Sequence, residues 1–237
     1  MSGLTALEFL NGIFAIVIII FFFFMGISII RKYFQFHDRR LLFTGIAIFF
    51  MSSPWLPISI SFISTLVLSF SLPFELYFTL GYGFSFGILF WLFTFTDMVA
   101  QKYRKVILGI YAIYLTILTI LFYVFLIGAP NLIGNLSGTI TADHGLYLRI
   151  RNAVRLIIIL ISGFAIWYMS KDSPNSEVRF KGRMIFIGII LFALGGFVFT
   201  ITNISVFPLI FFIPSLFGIY AGFALPNWMK RFFLSEE

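Results

Sequence analysis

Three arginines stand at the mouth of a hydrophobic run in "GLYLRIRNAVRLIIIL", residues 145–160: Arg149, Arg151 and Arg155. A guanidinium is a planar fork of N–H donors that keeps its charge, so it suits a carboxylate or phosphate held by two parallel hydrogen bonds. Arg151 and Arg155 are four apart and share one helix face, with Asn152 beside it. That spacing offers two cations and an amide to a single ligand. The surrounding medium decides whether it can. If the run crosses a bilayer, a charge below the interface is tolerated only when it snorkels, pairs or faces a wet cavity.

Composition identifies the medium. Of 237 residues, 61% are hydrophobic and only 11% charged; 35 are Phe and none is Cys. A soluble domain carries about 25% charged residues, so this chain cannot cover a surface with polar groups and must be solvated by lipid. The absence of cysteine removes disulfides, thiol catalysis and cysteine-ligated metals. The first apolar stretch follows Glu8 with no basic residue and no small-residue cleavage site, and reads as a retained helix rather than a signal peptide.

A spanning helix needs about 20 mostly apolar residues. Seven runs qualify, at about 8–30, 41–63, 74–97, 106–128, 148–170, 183–203 and 205–226. The expected fold is an all-α integral membrane protein, a seven-transmembrane helix bundle over 1–226, with a short amphipathic tail at 227–237. The polar divider "TNISVFP" is so short that six spans are an alternative. Pro54 and Pro57 around Trp55 predict a kink in the second span. The 16 basic residues are unevenly placed: four in 31–40, three in 101–105, four in 171–183, two at 230–231, and then Arg149, Arg151 and Arg155. Basic residues concentrate in cytoplasmic loops, which places the N-terminus outside and the C-terminus in the cytoplasm of a multi-pass cell-membrane protein. The three arginines of the opening stretch are then the only basic residues on the outer side. The inner basic loops meet anionic headgroups rather than nucleic acid.

No catalytic motif is present. His37 and His144 fall at opposite ends of the bundle, and no HExxH, GxSxG, phosphate-binding or dinucleotide-binding signature occurs. No span carries an ionisable residue at its centre, which disfavours ion pumping and proton relay. The chain is expected to be neither an enzyme nor a metalloprotein. Asp143-His144 alone is better read as surface loop than as half a metal site, and Asn135-Leu-Ser137 matches the glycosylation triplet. "WLFTFTDM" at 91–98 is similar to the third helix of microbial rhodopsins, which bind retinal on a lysine of the last helix. Span seven has no interior lysine, so a Schiff-base cofactor is excluded and none is expected.

Between Arg155 and Lys171 lie 15 residues, too few to cross about 30 Å at 1.5 Å each. The fifth helix must therefore start near 148, putting Arg155 one to two turns below the interface. It can snorkel, pair with Glu75 at the outer end of span three, or face a ligand. The ligand reading assigns Arg151, Arg155, Asn152, Glu75, Tyr82, Trp55 and Asn203 to an outward-facing pocket for a small anionic or amphipathic molecule. The glycines of spans three and six, and the Phe-rich stripes, read as packing against helices, lipid or another copy of the chain.

The chain closes in "GFALPNWMKRFFLSEE". Its seven-span layout with Pro226, Trp228, Lys230 and Arg231 at the exit of the last span resembles prokaryotic seven-transmembrane sensor modules, such as the input regions of histidine kinases. The resemblance implies an outer ligand-sensing half and a helix leading to a cytoplasmic output. No kinase, cyclase or coiled coil follows before Glu237, so output through a separate cytoplasmic partner is expected. The competing readings are a small-molecule or lipid carrier, whose Pro54, Pro57, Pro208 and Pro214 would mark discontinuous helices, and an accessory membrane subunit.

Overall fold

The structure is a computed structural model and describes residues 4–202, 204–226 and 229–231. Among them, seven helices are long and apolar enough to cross a membrane, in an all-α bundle.

The first span is α1 (Ala6–Phe36). A capping box starts it: the Glu8 N–H donates to Thr5 Oγ1 at 3.2 Å, and Thr5 N–H donates back to the Glu8 carboxylate at 3.0 Å. The second span is broken as its prolines require. It consists of α2 (Arg39–Met51), a 3-10 turn at Ser53–Trp55, and α3 (Leu56–Leu68). Pro54 and Pro57 have no N–H to donate, and the Ser52 hydroxyl donates to the Phe49 carbonyl at 2.6 Å.

The third span is broken too, at glycines that the sequence marks only as packing residues. α4 (Phe74–Leu80) and α5 (Phe84–Met98) are joined by a 3-10 turn at Gly81–Gly83. The two breaks face each other. A Cβ on Gly83 would lie 3.0 Å from Ser53 Cβ, so a glycine is what lets the two turns approach.

α6 (Arg104–Gly128) forms the fourth span. The segment between the fourth and fifth spans is folded, with a short α7 (Pro130–Ile133) and a two-stranded antiparallel hairpin of β1 (Gly134–Leu136) and β2 (Ala142–His144). The hairpin is held by burial: Ile133 and Ile140 are fully buried beneath it. The Tyr77 hydroxyl donates to the Ile140 carbonyl at 3.1 Å, and the Thr139 N–H donates to Glu8 at 2.7 Å.

α8 (Leu146–Ser170), α9 (Ser176–Thr202) and α10 (Val206–Ala224) complete the bundle. α9 begins at Ser176 rather than near 183, so Arg179, Lys181 and Arg183 ride on its first turns. The Asn175 side chain explains the early start, accepting from the Glu177 N–H at 2.9 Å as a helix cap. The expected tail at 227–237 lies outside the described residues apart from Met229–Arg231.

The α9–α10 pair packs most extensively, at Gly188 and Gly218, where an added Cβ would meet opposing backbone at 2.8–3.0 Å. Gly87 plays the same role between α5 and α2. Polar ties cross between helices: Thr44 and Thr94 hydroxyls at 3.1 Å, and the Trp91 indole N–H to Ser162 Oγ at 2.6 Å. At the end opposite the hairpin, the Asp97 carboxylate is 3% exposed and pairs at 2.8 Å with both Arg39 and Arg104.

Candidate functional site

α8 starts at Leu146, so Arg151 and Arg155 lie about 8 and 14 Å along its axis at 1.5 Å per residue. Both point into the bundle. Arg151 is 5% exposed and Arg155 2%. Neither snorkels, because the aliphatic stems run inward between helices rather than up to the interface. Neither pairs with Glu75, which is exposed on α4. Among the described residues no carboxylate forms an ion pair with either guanidinium.

Each arginine is held differently. The Arg151 guanidinium sits among three rings, 4.5 Å from the centre of Tyr82, 5.4 Å from Phe122 and 5.6 Å from Tyr147. Ring faces are electron-rich and partly answer its charge. Arg155 lies over one ring, Phe84, at 5.2 Å. One of its terminal nitrogens donates to Asn152 Oδ1 at 3.0 Å and the other to Ser85 Oγ. Neutral acceptors orient this cation without neutralising it.

Both arginines line a cavity of about 70 Å³, on a measure in which one water takes roughly 10–15 Å³. The bend in the second span forms one wall, with Pro54, Trp55, Pro57 and Ile58; His144 and Ala142 of β2 reach it from the hairpin. Phe84, Phe192, Phe199 and Phe212 add an aromatic wall. These rings form a connected row. Phe84 stacks on Phe192 at 6.0 Å, Phe192 meets Phe212 at 5.4 Å, Phe212 meets Trp55 at 4.8 Å, and Trp55 meets Phe199 at 5.1 Å. Arg155 stands at one end of the row and Trp55 near the other.

Residues that line this space carry buried polar atoms without hydrogen-bond partners. These atoms are Nε and Nη1 of Arg151, Nε of Arg155, the indole Nε1 of Trp55 and Nδ1 of His144. Buried donors are normally satisfied, and leaving one bare costs about 1–3 kcal/mol, more for a charged group. Several on one cavity define a receptor for acceptor atoms. Burial, and then the positive charges of Arg151, Arg149 and Arg155, push the half-buried His144 down to about 4, so it is neutral near pH 7.

Of the residues expected in the pocket, Arg151, Arg155, Asn152 and Trp55 line one cavity. Tyr82 supports Arg151 from behind and is itself tied to Thr119 Oγ1 at 2.8 Å. Glu75 is not part of the site, and Asn203 lies outside the described residues. Ser85 and the Phe84–Phe192–Phe212 row are not among the expected residues, and His144, expected in a surface loop, lines the cavity instead. Nothing local distinguishes three phenylalanines among 35. Ser85 could have been found as a small polar residue just past the Gly81–Gly83 break.

Fold and site together define a seven-helix membrane-type bundle with a buried cationic cavity at one end. No family model, curated protein or solved structure matches the chain.

Proposed function

We propose that the chain is a receptor-like membrane protein that binds a small anionic ligand in the cavity between α8 and the two broken spans. The observation that carries this reading is the pair Arg151 and Arg155: two buried cations with unpartnered N–H groups, lining one cavity and, among the described residues, in no ion pair with a carboxylate. An uncompensated buried charge costs several kcal/mol, and an anion entering the cavity recovers much of it. The distribution of basic residues supports a hairpin end outside and an Asp97 end in the cytoplasm, with the ligand entering from outside.

The route to a cytoplasmic partner is α8, which carries both arginines and runs to Ser170 at the basic end, packed along α9. There Glu177 of α9 pairs with Lys181 at 2.7 Å and with Lys230 at 2.6 Å, coupling the start of α9 to the segment beyond α10. A ligand-driven shift of α8 against α9 would reach the surface that a partner sees. This arrangement agrees with the resemblance to sensor modules.

One observation favours a carrier instead. The 3-10 breaks at Ser53–Trp55 and Gly81–Gly83 face each other beside the cavity, as discontinuous helices do around transported ligands. Thermal stabilisation by small anions, measured on the full chain in nanodiscs and lost in Arg155→Gln, is the outcome expected for either reading. Proteoliposome uptake separates them: saturable binding without uptake supports the receptor, and counterflow supports the carrier. If no anion stabilises the wild type, the anion site itself is wrong.

A further inference from the structure

We infer that the cavity selects a monocarboxylate on a flat apolar body that carries a neutral hydrogen-bond acceptor at its far end. The inference rests on the anion-site reading and specifies its ligand class. Three features of the lining lead to it.

The number of charges comes first. Arg151 already faces the rings of Tyr82, Phe122 and Tyr147 on the side away from the cavity, since none of those three lines it. Arg155 has a single ring and two neutral acceptors. One negative charge beside Arg155 therefore answers the less compensated cation. The number of donors comes next. A phosphate presents three or more oxygens and is usually met by backbone N–H groups or lysine as well as arginine. Here Lys is absent from the lining. The Tyr77 hydroxyl is committed to Ile140 and the Thr200 hydroxyl to the Gly196 carbonyl at 2.8 Å. The three bare guanidinium nitrogens match a carboxylate, whose two oxygens accept about four hydrogen bonds in all.

Shape comes third. From Arg155 the cavity follows the Phe84–Phe192–Phe212 row to Trp55, and a flat ring lies well against such faces. A space of about 70 Å³ holds roughly five to seven waters at 10–15 Å³ each, which a single six-membered ring displaces and a long acyl chain overfills. At the far end, Trp55 is 2% exposed with its indole N–H bare. Indole nitrogen only donates, so the ligand must bring an acceptor there.

The test uses the full chain in nanodiscs with four probes: 4-hydroxybenzoate, benzoate, 4-hydroxybenzamide and inorganic phosphate. Saturable tryptophan-fluorescence change and thermal shift report binding. Both benzoates should bind and the amide and phosphate should not, within the same concentration range. 4-Hydroxybenzoate should bind roughly tenfold more tightly than benzoate, the worth of about one hydrogen bond, and that advantage should vanish in Trp55→Phe, which keeps a ring and removes the N–H. Phosphate binding as tightly as benzoate, with the same loss in Arg155→Gln, overturns the carboxylate inference and leaves the anion site standing. Equal affinity for the two benzoates, or an advantage that survives Trp55→Phe, overturns the acceptor at the far end. Absence of any Arg155-dependent anion binding removes the site itself. The wild-type probe series alone still tests the carboxylate, by benzoate against amide and phosphate, and the far-end acceptor, by the two benzoates, if a variant does not fold.

Discussion

The Arg151 guanidinium lies 4.5 Å from the centre of the Tyr82 ring, so a cation from α8 and an aromatic from the Gly81–Gly83 turn hold the broken third span against the fifth helix. Tyr82 also contacts Phe122 at 4.5 Å and shares a hydrogen bond with Thr119 at 2.8 Å, tying both to α6. Three helices meet at this one ring.

Tyr82→Leu should therefore cost about 2–4 kcal/mol, combining the lost ring contact with a partly emptied core position. Tyr82→Phe keeps the ring and loses only the hydroxyl, and should cost about 1 kcal/mol. Thermal unfolding of the two variants in nanodiscs gives the comparison. Equal losses would mean that the hydroxyl and not the ring face supports Arg151.

Arg155→Met should make the ligand-free protein more stable. Replacing a buried, unneutralised charge by an apolar side chain of similar length is commonly neutral or stabilising by about 1–4 kcal/mol. The same change should abolish stabilisation by any anion. A higher melting temperature without ligand, together with no shift on adding one, is the pattern of a residue retained for binding. A less stable ligand-free variant would instead make Arg155 a structural residue.

Stability should fall on mild acidification through His144. Its imidazole protonates at about 4 in the folded protein, against 6.5 as the ordinary value. Between those pH values the unfolded chain binds the additional proton, so stability rises with pH across the window. His144 contributes fully above about 6.5, and its contribution is lost as pH falls toward 4. Chemical unfolding followed from pH 7 to pH 4 should show this slope, and His144→Gln should flatten it. An unchanged slope in that variant would exclude His144 as its source.

Asp97→Asn acts at the other end of the bundle and should leave the cavity untouched. The carboxylate is 3% exposed and bridges Arg39 and Arg104 at 2.8 Å each. Both arginines retain some access to water, so the expected loss is about 1–3 kcal/mol, below that for a fully buried pair. Anion affinity, measured with benzoate, should be unchanged. A large drop in affinity would mean that the two ends are coupled more tightly than the packing of α5 against α8 suggests.

Much of this molecule is legible from residue order. The length of the apolar runs sets the number of candidate spans, because about 20 residues are needed to cross the hydrocarbon. Pro54 and Pro57 set the break in the second span, because a residue without an N–H cannot continue the ladder. The 15 residues between Arg155 and Lys171 force the fifth helix to start early enough to carry the arginines inward. Spacing also puts Arg151, Asn152 and Arg155 on neighbouring positions of one helix surface.

Which way that surface turns was not determined by the sequence. Outward, the same arginines would have snorkelled to the interface; inward, they meet Ser85, Phe84 and Tyr82 from other spans. That choice depends on how α8 packs against α5 and α9, through contacts such as Trp91 to Ser162, 71 residues apart. The folding of 134–144 into a hairpin over the cavity is likewise decided by distant partners, Tyr77 and Glu8. Helices form from local hydrogen bonds, so sequence alone determined them; the cavity exists only where separate helices leave donors bare in shared space, and only the tertiary structure decides that.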